Sequence, residues 1–130
     1  MKIDHVGVAV NSLAEARRFY EELGLECSGE EEVADQKVRV ALFPVAGTRV
    51  ELLETTDPEG PIGKFLQRRG PGLHHLCLEV PDVAAALRAL ESKGYALIDR
   101  EPRAGAGGHR VAFVHPKSTG GVLLELTEKE

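Results

Sequence analysis

The stretch "HLCLEVPDVAAALRALESKG", residues 75–94, is a second copy of "HVGVAVNSLAEARRFYEELG", residues 5–24. The two align at one constant offset without a gap: His5 on His75, Val10 on Val80, Ser12 on Asp82, Glu21 on Glu91 and Gly24 on Gly94. Each copy reads as a short apolar strand, a polar helix cap, an Ala/Leu-rich helix and a glycine stop. In the first, Ser12 and Glu15 have capping-box spacing and Gly24 suits the C-terminal position. In the second, Asp82 follows Pro81 and can cap, and Gly94 ends the helix.

The repeat continues more loosely on its C-terminal side. "KVRVALFP" (37–44) resembles "HRVAFVHP" (109–116), and "RVELLE" (49–54) resembles "VLLELT" (122–127). Each member of the first pair is a β-rich run closed by proline; each member of the second is an apolar strand with an embedded glutamate. "PIGKFLQRR" predicts a short helix near 61–69, and Gly70, Pro71 and Gly72 break the chain after it. The sequence therefore predicts one α+β domain over 1–130. It is built of two β-α-β-β-β modules, about 1–58 and 72–128, joined by the linker helix. Two copies this long suit pairing around a pseudo-twofold axis rather than a solenoid.

Composition sets the remaining bounds. The chain has 130 residues, 42% hydrophobic and 28% charged, with a net charge of −5. That is enough for one real core, and it excludes a broadly basic nucleic-acid binder. Cys27 and Cys77 form no CxxC pair, which argues against a disulfide framework. The opening "MKIDHVGVAV" lacks the pattern of a signal peptide, and no apolar run reaches the length of a membrane span. The expectation is a cytoplasmic protein with no membrane or nucleic-acid partner.

Alternation along the strands separates the two adjacent histidines of "GLHHLCLEV" (72–80). Neighbouring side chains on a strand point to opposite faces. Ile3, His5, Gly7 and Ala9 share one face, and Val6, Val8 and Val10 the other. In the second copy His75, Cys77 and Glu79 share a face, opposite His74, Leu76, Leu78 and Val80. The aliphatic faces should pack on helices, leaving the smaller, more polar faces to line a hollow. His75 is then the inward residue, matching His5, while His74 goes to the helix side. A lone strand histidine is usually structural. Two at equivalent positions of a repeat, on the less apolar face, are harder to dismiss.

Glu51 and Glu125 sit within apolar strands, where a carboxylate must be exposed, paired or bound. Either alone could be an edge residue in water. Together His5, Glu51, His75 and Glu125 are one His and one Glu per module, in equivalent order. Two imidazoles and two carboxylates suit a divalent first-row ion such as Co, Ni, Mn, Fe or Zn, and the absence of cysteine ligands disfavours a closed structural zinc site. Four protein ligands on an octahedral ion leave two positions for a bidentate oxygen substrate.

With these residues in view, the chain resembles the vicinal oxygen chelate superfamily, and within it the methylmalonyl-CoA epimerases. The resemblance runs through "IDHVGVAV", "FYEELGLE", "VELLE", "PIGKFL", "GLHHLCLEV" and "REPRAGAGGHRVAFVHPKSTGGVLLEL", the last being the most specific. It implies paired βαβββ modules forming a metal-holding cup, with His5, Glu51, His75 and Glu125 at the metal positions. It implies interconversion of (2R)- and (2S)-methylmalonyl-CoA by α-proton removal and return through a metal-stabilised enolate. The cofactor would be Co²⁺ first, with Ni²⁺, Mn²⁺ or Zn²⁺ as alternatives, the partner an acyl-CoA substrate, and the assembly a homodimer.

Glu125 is the leading proton-transfer residue. The second is open, because certain members carry a catalytic glutamate where this chain has Val40. Glu51 is then the first candidate, ahead of Gln36 or a metal-bound water. For the CoA phosphates, the glycine-rich "DREPRAGAGGHR" (99–110) and "HPKSTGG" (115–121) offer Arg103, His109, Lys117 and Ser118, with Arg100 and Arg110 nearby. Lys64, Arg68 and Arg69 read as a solvated helix face. The rival readings are a glyoxalase I-type lactoylglutathione lyase and a metal-free binding or resistance protein of the same fold. The second needs a wide apolar or aromatic cleft, and this chain has no Trp and only 5% aromatic residues.

Overall fold

A computed structural model describes residues 1–128 of the chain. It divides into two compact units: His5–His74, and Met1–Asp4 together with the chain from His75 onward.

The first unit holds most of β1 (Lys2–Ala9), then α1 (Leu13–Leu23), β2 (Gly29–Val33), β3 (Val38–Val45), β4 (Thr48–Thr55) and α2 (Pro61–Arg69). Its strands lie in the order β2-β3-β4-β1. β1 runs parallel to β4 with Gly7 opposite Glu51, and the other pairs are antiparallel. Val8 and Val10 pack with Leu13, Ala16 and Tyr20 of α1 over Ala41, Phe43 and Leu52, so the aliphatic face does meet a helix. The opposite face is not open along its whole length. Ile62, Phe65 and Leu66 of α2 cover Ala9, Val38, Val40 and Leu53. The spacing of Ile62, Phe65 and Leu66 puts them on one side of the helix, and that side must be buried somewhere.

The second unit holds β5 (Gly72–Glu79) from His75 on, α3 (Val83–Ser92), β6 (Arg103–Ala104), β7 (Arg110–Val114), α4 (Pro116–Thr119) and β8 (Leu123–Thr127). Its strand order is β5-β8-β7-β6. β5 runs parallel to β8 with Cys77 opposite Glu125, the counterpart of Gly7 opposite Glu51 in the first unit. Leu78 and Val80 pack with Val83 and Leu87 of α3 over Ala112, Val114 and Leu126.

The repeat persists in the helix caps. Ser12 Oγ accepts from Glu15 N at 3.2 Å, and Asp82 Oδ1 from Ala85 N at 3.0 Å. At the other end Gly24 N donates to Glu21 O and Leu25 N to Tyr20 O, while Gly94 N donates to Glu91 O and Tyr95 N to Leu90 O. Both are the Schellman closure, and both glycines take the left-handed φ it requires, +116° and +87°.

The structure adds elements the periodicity did not locate. β2 is "GEEEV", whose acidic residues show no apolar alternation because it is the outermost strand of its unit and Glu30 and Glu32 face solvent. β6 has only two residues. His115 and Pro116 do not continue β7: His115 caps the short helix α4, its Nδ1 accepting from Lys117 N at 3.1 Å. Among the described residues, no helix is long and apolar enough to cross a membrane.

Candidate active site

In the first unit, parallel pairing of β1 with β4 brings His5 and Glu51 together. Both are buried, 6% and 4% exposed, and His5 Nδ1 lies 3.4 Å from Glu51 Oε2. The same oxygen accepts from Arg49 twice, from Nη2 at 2.7 Å and from Nε at 3.1 Å. Arg49 Nη2 also lies 3.4 Å from His5 Nδ1. A buried carboxylate held by a guanidinium is a charge-assisted pair, and this one is partly screened because the Arg49 side chain is 33% exposed.

Arg49 was not singled out by sequence reasoning, although the signal was there. It stands two residues before Glu51 on one strand, so the two share a face.

In the second unit, His75 Nε2 lies 3.1 Å from Glu125 Oε1, and both residues are buried. Phe113, opposite Glu125 in the β7–β8 register, meets the His75 ring edge-on, with centroids 6.2 Å apart. The Arg103 guanidinium lies over the Phe113 ring, 5.1 Å from its centroid. Asp99 anchors the arrangement: its Oδ2 accepts from Phe113 N at 2.8 Å and lies 3.4 Å from Arg103 Nε.

His74 separates from its neighbour as alternation requires. It is half-buried, and its ring meets Phe65 of α2 edge-on with centroids 5.0 Å apart. Val40 is buried beneath α2, and Gln36 is half-buried in a 3₁₀ turn, Ala34–Gln36.

The residues predicted to meet phosphates are spread along the surface of the second unit. His109 and Lys117 are exposed. Arg100 pairs loosely with Glu91 at 3.5 Å and Arg110 with Glu128 at 3.4 Å. Ser118 already serves the fold, since its hydroxyl donates to Ala96 O at 3.0 Å and accepts from Ala96 N at 2.9 Å. Lys64, Arg68 and Arg69 are exposed on α2, with Arg69 5.9 Å from the centroid of Phe65.

Within the second unit, His75 and Glu125 are spaced as two ligands of one divalent ion would be. Neighbouring ligands at right angles on an ion with bonds of about 2.1 Å stand about 3.0 Å apart, which is the spacing of His75 Nε2 and Glu125 Oε1. Burial of a carboxylate beside an imidazole is costly without a compensating charge. In the first unit Arg49 supplies one.

Residues 4–113 match the model of the glyoxalase/bleomycin resistance protein/dioxygenase superfamily. The chain is 43% identical over 128 residues to the uncharacterized protein YqjC of Bacillus subtilis, covering 98% of this chain and 91% of that one. The methylmalonyl-CoA epimerase of Mycobacterium tuberculosis superimposes with a TM-score of 0.93 at 39% identity, covering 99% of this chain and 88% of that one. A methylmalonyl-CoA epimerase solved in complex with methylmalonyl-CoA and NH4+ superimposes with a TM-score of 0.92 at 34% identity, covering 98% and 94%.

Proposed function

The chain belongs to the methylmalonyl-CoA epimerase family of the glyoxalase/bleomycin resistance protein/dioxygenase superfamily, and from that premise we propose that it interconverts (2R)- and (2S)-methylmalonyl-CoA. Its fold is the α+β, twice-βαβββ fold of that superfamily. The observation that carries the proposal is the buried His75–Glu125 pair at 3.1 Å, a base positioned by its neighbour in a chain alike over nearly its full length to a protein holding this substrate.

The proton to be moved lies on the carbon between a thioester carbonyl and a carboxylate. It must leave from one face and return to the other. Glu125 acts on one face: one of its oxygens faces His75, and the carboxylate takes or returns the proton. Glu51 is the candidate for the opposite face, since the side chain at position 40 is aliphatic and cannot serve; Gln36 or a water is the weaker alternative. Each such role is typically worth about 10²–10⁴ in rate. His5, Glu51, His75 and Glu125 would hold a divalent ion, Co²⁺ before Ni²⁺, Mn²⁺ or Zn²⁺, which when bound supplies Lewis-acid stabilisation of negative charge growing on the substrate oxygens.

The CoA phosphates would be met by Arg103, His109 and Lys117, with Ser118 in a positioning role through Ala96. We also propose a homodimer, and a cytoplasmic location from the absence of a signal-peptide pattern at the opening of the sequence. The test is deuterium incorporation at the α-carbon of methylmalonyl-CoA in heavy water with Co²⁺ present. Incorporation is expected, with no comparable turnover of the methylglyoxal–glutathione adduct. The reverse preference would assign the protein to the glyoxalase I-type lyases instead, and binding without either turnover would assign it to the binding proteins of the fold.

A further inference from the structure

Arg49 is a third polar group on the His5–Glu51 pair, and neither the metal reading nor the proton-transfer reading gives it a role. Its fork holds a single carboxylate oxygen, Glu51 Oε2, with both Nη2 and Nε, at 2.7 and 3.1 Å. Nη2 also stands 3.4 Å from His5 Nδ1. The guanidinium therefore touches both candidate ligands that this unit contributes.

We propose that Arg49 is an internal competitor for the divalent ion: it occupies Glu51 when the ion is absent and gives up part of that carboxylate when the ion binds. The inference rests on the metal reading above. Its argument is electrostatic. Glu51 is 4% exposed, so in the metal-free protein its charge needs a partner, and the arginine provides one. An incoming dication offers the same carboxylate a stronger partner and meets a fixed positive charge close by, which repels it. Removing the arginine deletes that repulsion and leaves metal-free Glu51 short of a partner. Both changes favour the bound state.

The opposing effect is loss of orientation, because a hydrogen-bonded outer partner usually raises metal affinity. Here the partner is a cation rather than a carboxylate or carbonyl, and it holds one of the two carboxylate oxygens with both of its donors. Competition therefore outweighs orientation. Since a third of the arginine side chain is exposed, solvent screens the effect, and the expected change is about tenfold rather than a thousandfold.

The test is Co²⁺ binding to the metal-stripped full chain, read by competition with a chromophoric chelator, alongside melting of the metal-free and Co²⁺-saturated forms. R49Q is expected to bind Co²⁺ about tenfold more tightly than wild type, and R49K, which keeps the charge, to stay near wild type. Metal-free R49Q should melt a few degrees lower than metal-free wild type, and saturating Co²⁺ should close that gap. R49M is the second neutral variant, should R49Q not fold. Equal or weaker Co²⁺ binding by the neutral variants, with wild type binding normally, would overturn the competitor role alone. No Co²⁺ uptake by wild type would overturn the metal reading and this inference with it.

Discussion

His75 Nε2 and Glu125 Oε1 stand 3.1 Å apart on two parallel neighbouring strands, both side chains almost wholly shielded from water. Substituting Glu125 with glutamine keeps the size and one oxygen but removes the basic carboxylate. Glu125→Gln is expected to retain much of its bound Co²⁺ and lose α-carbon deuterium exchange by about 10² or more. Metal analysis and mass spectrometry of the substrate check the two halves. Full exchange with metal retained would remove Glu125 from the proton-transfer role.

The adjacent histidines give a sharper contrast. His75→Ala should lower Co²⁺ content per chain and most of the activity. His74→Ala should leave the metal bound, because that ring packs on Phe65. Its cost should fall on melting temperature instead. If His74→Ala emptied the site and His75→Ala did not, the assignment of strand faces would be wrong.

Glu51→Gln tests the second base. It should still bind Co²⁺ through the amide oxygen, yet show exchange reduced by about 10² or more, since no acid stands at position 40 to replace it. Near-normal exchange with unchanged metal content would leave Glu51 a ligand only.

A fourth expectation concerns acid stability. Asp57 accepts from the backbone N–H of Glu59 at 2.9 Å and lies 3.3 Å from Lys37 Nζ; these hold its carboxyl below its ordinary value of 3.8. A carboxyl lowered on folding stabilises the native state above its unfolded value, and that contribution fades as pH falls through the folded one. Wild type should therefore lose more melting temperature between about pH 6 and about pH 2 than Asp57→Asn does. An equal loss in both would show that Asp57 contributes nothing at acid pH.

Much of the fold was legible because the repeat supplied each feature twice. Ser12 and Asp82 cap their helices, and Gly24 and Gly94 close them with matching bonds. α2 occupies the span 61–69 that its sequence pattern suggested. The elements that escaped carry little apolar signal: β2 is acidic, β6 is two residues long, and α4 is a single turn. At the candidate site, alternation gave the faces of His5 and His75 but not the third dimension. It did not reveal that α2 would cover Val40, nor that Arg49 would turn its fork onto Glu51. Alternation says on which side of a strand a residue stands, and says nothing of how far a long side chain reaches along it.

The membership of Met1–Asp4 in the second unit has a consequence for biosynthesis. Those four residues are made before the seventy that form the first unit, and their own neighbours, from His75 on, are made last. At about 5–20 residues per second the wait is roughly 4–14 s, during which the opening segment has nothing of its own unit to dock on. A single proteolytic cut after His74 would likewise release one fragment with its sequence whole and another that lacks its first strand segment. The second unit is thus the one whose completion needs Met1–Asp4 to meet a segment made about seventy residues later.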